Sequence, residues 1–450
     1  MGARGDSPDV QGLVDHLFRH EAGRMVAALT RSLGPAWLPL AEEAVQDALL
    51  QALKRWPFHG VPDQPGAWLY RVARNRALDR LRRDASFRGK EEAVRRSLLD
   101  AAPPDPEAGA RLPGEVTDDQ LRLIFLCCHP ELPRDGRVAL TLKTVAGFSV
   151  GEIARAFLVR GTTVAQRLVR AQRRIRRREI PFEMPDPEQL PERLDAVLEV
   201  LYLFFNEGYS AAGGDALVRA DLCAEALRLT EHLAGYLESR EEAFVEEEVR
   251  REAGACGEKD DERGLTTGAA AHALAALLCF QSSRLPARAD ERGDPVLLGE
   301  QDRRRWDQRL VQRAFAHLER AASGRRLTAY HLQAAIAAEH ATAESLDATD
   351  WPAILRLYDQ LHTLNPSPIV ALNRAVALAR VDGPAAALAA LDALTDEPAV
   401  AHYYLFHATR GELLRQLHHP TQAATAYRRA LECSMSEPEA RFLRRRLAEL

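Results

Sequence analysis

The side chains best equipped for chemistry in this 450-residue chain are arginines, and they cluster in two places. Between Arg160 and Arg178 there are eight arginines and no acid. Thr163, Gln166, Arg167, Arg170 and Arg174 share one helical face, while Val164, Leu168, Ala171 and Ile175 form an apolar stripe beside it. Arginine and glutamine can each grip a base edge with two hydrogen bonds, and further arginines neutralise phosphates. The preceding FSVGEIARAF and a turn at about Arg160–Gly161 complete a helix-turn-helix pattern, with Ile153 and Phe157 expected under the apolar stripe. This pattern favours duplex DNA; a solvated basic helix is the plainer alternative.

The second cluster is GAWLYRVARNRALDRLRRD (Gly66–Asp84). Six arginines (Arg71, Arg74, Arg76, Arg80, Arg82, Arg83) surround an apolar face of Leu69, Val72, Ala73, Ala77 and Leu81. Trp56, Phe58, Trp68 and Tyr70 accompany them, and rings beside arginines offer unstacked bases a π surface. Buried tryptophans under a solvated arginine face would read the same. Upstream, Leu40–Trp56 is amphipathic, with an acidic start and a basic end that suit the helix dipole. Its Glu42, Glu43, Gln46 and Asp47 are expected to be exposed, for a protein partner or simply for water.

Other candidates carry less. None of the phosphate-loop, dinucleotide, zinc-protease or serine-hydrolase signatures occurs, so no enzyme activity and no cofactor is expected. His402, His407, His418 and His419 lack ligand spacing, so no metal site is expected either. Cys127 and Cys128 end an apolar helix as a buried thiol pair or a redox sensor. Asn206-Glu207-Gly208-Tyr209 reads as a helix cap with Gly208 at positive φ, or as groove lining.

The elements that position these residues read as helical almost throughout, with no alternating strand pattern. Helical blocks cover about 10–84 and 118–178, separated by a Pro/Asp-rich stretch (Ala101–Glu115). IPFEMPDPEQLPER (Ile180–Arg193) carries four prolines and marks the next boundary. Glu238–Arg263 is heavily charged, a solvated helix or a connection. Near the end, a shift of 36 pairs Arg374 with Arg410, Leu378 with Leu414, Pro384 with Pro420 and Ala387 with Ala423. Tyr358, Leu391 and Tyr427 fall at offsets of 33 and 36, near the period of tetratricopeptide (TPR) helix pairs. An alanine-rich bundle without repeat geometry is the alternative.

The net charge of −5 hides an asymmetry. Residues 1–180 carry +8 and residues 181–450 carry −13, a division that suits a polyanion partner for the first part. No apolar run reaches the ~18 residues of a membrane span, and the N-terminus lacks a signal-peptide core. Six cysteines without C-x-x-C spacing fit a reducing, cytoplasmic setting.

AEEAVQDALLQALKRW, then P-x-AWLYRVARNRALDRLRRD, then a helix-turn-helix running Gly-Thr-Thr-Val-Ala-Gln-Arg-Leu-x-Arg-Ala-Gln, resembles an extracytoplasmic-function sigma factor of the sigma-70 family. LYLFFNEGYSAAGGD, RADLCAEALRL, GEQDRRRWD and LNRAVALARVDGPAAAL resemble the group with a TPR-like C-terminal extension. The resemblance implies an all-α protein: sigma region 2 at 10–85, a linker at 86–117, sigma region 4 at 118–179, and an extension at 191–450 with TPR-like repeats at about 328–450. Glu42, Glu43, Gln46, Asp47 and Leu50 would dock on the β′ clamp helices of RNA polymerase core. Trp68, Arg71, Arg74, Asn75, Arg76, Arg80, Arg82 and Arg83 would engage and help open the −10 element. Thr162, Thr163, Gln166, Arg167, Arg170, Arg173 and Arg174 would read the −35 element. The opening Val-Arg-Gly-Thr-Thr-Val departs from the Ser/Thr-Pro or Ser-x-Gly-Thr-Val start of many relatives. The implied partners are core polymerase and promoter DNA, plus a protein or intramolecular contact for the extension. A helix-turn-helix regulator with a TPR sensor domain is the alternative, and a TPR scaffold binding RNA a third.

Overall fold

A computed structural model describes residues 10–83, 114–157, 159–186, 188–209, 217–252, 267–324, 326–433 and 435–450. The described residues are helical and contain no strand, only one isolated bridge between Ala289 and Pro295. Contacts divide the chain into two compact units, residues 1–200 and 201–450. Residues 101–113 of the Pro/Asp-rich stretch, residues 210–216, and residues 253–266, where the charged segment ends, lie outside the described residues.

The first unit begins with α1 (Val10–Leu33), α2 (Leu38–His59) and α3 (Pro65–Arg83). Gly34, at φ 88, turns the chain into a Pro35–Trp37 3₁₀ turn, and Gly60, at φ 80, ends α2. Leu40, Ala44, Ala48, Ala52 and Trp56 of α2 pack with Leu69, Ala73, Ala77 and Leu81 of α3 in a buried core. Their spacing of four lies close to the helical period of 3.6 and brings one face inward. Val72, expected in that face, is only half-buried; Tyr70 and Leu78 are buried instead.

Four more helices follow: α4 (Gly114–Cys127), α5 (Arg134–Thr144), α6 (Val150–Ala156) and α7 (Gly161–Arg178). Helix α4 thus begins at Gly114, inside the stretch expected as linker. Ser149 and Glu152 cap α6 reciprocally: Ser149 N donates to Glu152 Oε2 (2.8 Å) and Glu152 N donates to Ser149 Oγ (3.1 Å). Glu179, in the left-handed region at φ 50, ends α7. Cys127 and Cys128 are fully buried, and burial pushes the Cys128 thiol up to about 11, away from the thiolate that redox sensing needs.

The first unit extends past the proline-rich segment. Arg193 Nη2 donates to the Phe125 carbonyl at 2.8 Å, and Arg134 pairs with Glu199. Helix α8 (Leu190–Tyr209) spans the division between the two units, which falls after Val200.

The second unit holds α9 (Ala220–Glu252), α10 (Thr267–Ser283), α11 (Gln308–Ala321) and α12 (Ala329–Thr342). Helix α10 is buried from Gly268 to Phe280 with His272 in its interior, as its apolar sequence requires. There follow α13 (Trp351–Leu364), α14 (Pro368–Val381), α15 (Pro384–Asp392), α16 (Pro398–Ala401), α17 (Tyr404–Gln416), α18 (Pro420–Leu431) and α19 (Glu437–Ala448). Proline stands in the first two positions of six of these seven helices, where its missing N–H costs nothing.

Gly208 does not cap a helix. It lies inside α8 with ordinary φ, because a Cβ there would meet Leu222 Cβ at 2.7 Å and Cys223 N at 2.9 Å. Its lack of a side chain lets the start of α9 approach, and Arg219 N donates to its carbonyl at 2.7 Å.

Candidate nucleic-acid interface

The face of α7 forms from two interleaved stripes. Val164, Leu168, Ala171 and Ile175 are buried, together with Ile153 of α6, while Phe157 is half-buried. With that stripe inward, Thr162, Gln166, Arg170, Arg173, Arg176 and Arg177 are exposed. Among the described residues no carboxylate lies within ion-pair distance of Arg170, Arg173, Arg176 or Arg177. Arg167 is half-buried and held by Asp135 at 2.8 Å, and Thr163 is half-buried beside it. Arg174 and Arg178 share Glu131 at 3.5 Å each. The arginines therefore divide into three with an acid nearby and four free to meet an external anion.

On α3, Arg71, Asn75, Arg76, Arg80, Arg82 and Arg83 are exposed and Arg74 is half-buried. Arg82 has Asp79 at 3.5 Å. The four aromatics separate into different roles. Trp56 and Tyr70 are core residues, 3% and 5% exposed, so for these two the buried alternative holds: both stand on the inward helical face. Trp68 is half-buried with its ring 5.5 Å from that of Trp56, and Phe58 is 84% exposed. A cleft between α2 and α3 is lined by Glu43 and Asp47 on one side and Arg76, Arg80 and Arg83 on the other.

On α2, Glu43, Gln46 and Leu50 are exposed and Asp47 is half-buried. Glu42 is not exposed as expected. It accepts from Thr144 Oγ1 and, at 3.1 Å, from Gln172 Nε2, residues 102 and 130 positions away. Burial pushes its carboxyl above the usual carboxylate range, against the smaller opposing pull of Thr144, Lys143 and Gln172.

Glu42 belongs to a contact joining the two helical modules of this unit, which sequence reasoning missed. A Cβ on Gly23 of α1 would fall 2.2 Å from the Val145 carbonyl oxygen, so only glycine permits this approach. Asp119 of α4, fully buried, pairs with Arg31 of α1 at 3.2 Å and with Arg122 at 2.7 Å. A glycine inside an amphipathic helix was the one local signal available for it.

Comparison with known proteins agrees with this division. Residues 17–87 match sigma-70 region 2 and residues 122–175 match sigma-70 region 4. Residues 193–245 and 233–322 match a family of unknown function, DUF6596. An uncharacterized protein of Rhizobium meliloti (strain 1021) is 42% identical over 416 residues, covering 92% of this chain and 90% of its own length. No solved structure matches the chain. No described helix is long and apolar enough to cross a membrane.

Proposed function

We propose that this chain, whose residues 17–87 and 122–175 match sigma-70 regions 2 and 4, is an RNA polymerase sigma factor whose surfaces divide the work of promoter-specific initiation. The observation that carries the proposal is the set Arg170, Arg173, Arg176 and Arg177 of α7, exposed with no described carboxylate in ion-pair reach and held outward by a buried stripe. Thr162, Thr163, Gln166, Arg167, Arg170, Arg173 and Arg174 read the −35 element in the major groove, with Arg176 and Arg177 on phosphates. Arg71, Asn75, Arg76, Arg80, Arg82 and Arg83 follow the −10 strands, and Trp68 and Phe58 supply ring surface for unstacked bases. Arg74, half-buried, supports that face. Glu43, Gln46, Asp47 and Leu50 dock on the β′ clamp helices, and Glu42 joins them when region 4 moves off region 2. Polymerase fixes the spacing of two weak DNA readers, which raises their effective concentration.

For the extension, we propose a TPR-like array at residues 328–450 that binds a protein. Its support is a repeated contact. Arg374 pairs with Asp359, and 36 residues on Arg410 pairs with Asp392 at 2.9 Å. Ala375 is fully buried, and its counterpart Gly411 lets the Tyr427 ring lie within 2.8 Å of its Cβ position, the small-against-large packing of paired helices.

Run-off transcription with core polymerase and the full chain tests the reading. Promoter-specific transcripts are expected. Footprinting on duplex operator DNA without any initiation would assign the chain to conventional helix-turn-helix regulators.

A further inference from the structure

In the second unit, three helices bring together side chains that sigma activity does not use. Glu231 lies on α9, Cys279 on α10 and His317 on α11. His317 Nε2 is 3.4 Å from Glu231 Oε1, Cys279 Sγ is 3.8 Å from the same oxygen, and the three donor atoms lie within 4.8 Å of one another. We propose that Glu231, Cys279 and His317 bind a zinc ion, with a fourth position open to water or a small ligand.

The spacing fits the metal. Tetrahedral zinc, with bonds of about 2.0–2.1 Å to nitrogen and oxygen and about 2.3 Å to sulfur, sets N and O about 3.3 Å apart and S and O about 3.6 Å apart. The observed edges of 3.4 and 3.8 Å are close to both. A thiolate, an imidazole and one carboxylate suit zinc rather than the all-oxygen preference of magnesium or calcium.

The surrounding hydrogen bonds supply a second argument. His272 is nearly buried, with its Nδ1 2.9 Å from His317 Nδ1 and its Nε2 3.8 Å from Glu238 Oε2. Only one proton fits between the two Nδ1 atoms. If His317 supplies it, His317 Nε2 is a bare lone pair facing the Glu231 carboxylate. If His272 supplies it, His272 Nε2 is the bare atom facing Glu238. His272 Nε2 is buried without a hydrogen-bond partner, since 3.8 Å to Glu238 is too long for one. Zinc on His317 Nε2 would leave His317 Nδ1–H to donate to His272 Nδ1 and would place the His272 proton on Nε2, the side facing Glu238. A carboxylate–histidine relay of this kind orients metal-bound imidazoles.

Arg313 pairs with Glu231 without the ion and is half exposed, so its guanidinium can move to solvent as zinc takes the carboxylate. Cys279 gives its proton to solvent when the thiolate–zinc bond forms. With one ligand on each of three helices, the ion pins α9, α10 and α11 together. The site stands independently of whether the first unit initiates transcription.

The test uses the full chain stripped with chelator, with Zn²⁺ titrated by calorimetry and Co²⁺ as a spectroscopic probe. Expected are stoichiometric Zn²⁺ binding with proton release, no competition from Mg²⁺, and a thiolate-to-cobalt charge-transfer band. Cys279→Ser removes the band, whereas Cys433→Ser keeps it. His272→Gln weakens Zn²⁺ binding about 10–100-fold, as expected for a residue that orients a ligand. Circular dichroism checks that each variant folds, and Glu231→Gln gives a near-isosteric second loss of binding. Absence of saturable Zn²⁺ binding overturns the proposal, as does a Co²⁺ band that survives Cys279→Ser.

Discussion

Two arginine-rich helices of this chain have similar composition and opposite surroundings. Helix α7 presents Arg170, Arg173, Arg176 and Arg177 with no described carboxylate in reach. In α19, every arginine of the set Arg441, Arg444, Arg445 and Arg446 has an acid: Arg441 and Arg445 hold buried Asp294 at 2.8 and 3.5 Å, Arg444 holds Glu437 at 2.8 Å, and Arg446 holds Glu300 at 3.0 Å and Glu449 at 3.4 Å. Arginine count is therefore a poor mark of nucleic-acid binding. What distinguishes a docking helix is charge left uncompensated by its own fold.

The largest effect that sharpens this contrast belongs to Asp294→Ala. Removing the acid leaves Arg441 and Arg445, both more than 40% exposed, without the buried carboxylate they bind, a loss of about 1.5–3 kcal/mol for charge-assisted hydrogen bonds. Denaturation of the second unit should shift by that amount while DNA binding with polymerase stays unchanged. Next, Arg170→Ala with Arg173→Ala should lower −35 promoter affinity about 100-fold, since specific base contacts are each worth about 1–3 kcal/mol. Melting temperature should hardly move, because neither arginine pairs within the fold. A stability loss matching the binding loss would break the contrast.

Glu42 extends the comparison to acids, against exposed Glu43. Its carboxyl is held above the ordinary range chiefly by burial, so the protonated form is favoured in the folded contact. That contribution is fully present below the unfolded carboxylate pKa and is lost as pH rises through the folded value. The contact between regions 2 and 4 should accordingly loosen on the way to neutral pH. Glu42→Gln should flatten this dependence and retain about 0.5–1.5 kcal/mol at neutral pH, read from Trp56 and Trp68 fluorescence across a denaturant series. Glu43→Gln should do neither. The smallest effect is expected for Arg444→Ala: its pair is exposed, worth under about 1 kcal/mol, and DNA binding should be indifferent.

Much of the candidate nucleic-acid face was legible because it is local. Val164, Leu168, Ala171 and Ile175 announce their buried stripe through spacing alone, and the arginines follow on the remaining faces. The proline starts of the later helices are equally local. What the sequence could not show depends on distant partners. Glu42 looked like solvent-facing acid because Thr144 and Gln172 lie more than a hundred residues away. Trp56 and Tyr70 carried the right chemistry for bases but stand on the inward face. Gly208 was read as a turn because glycine's commonest reason is positive φ, whereas here the reason is the nearness of Leu222 and Cys223. Glu231, Cys279 and His317 are separated by 48 and 38 residues, and only the packing of three helices brings them together.

The most direct measurement of the central claim is the salt dependence of promoter binding by the full chain with core polymerase. If the uncompensated arginines of α7 meet phosphates, Arg173→Ala and Arg177→Ala should each reduce the slope of log affinity against log salt by about 0.9. Arg441→Ala and Arg446→Ala should leave the slope as it is. Equal slopes for both pairs of variants would contradict the account, because the acid-free surface of α7 would then carry no share of the DNA contact.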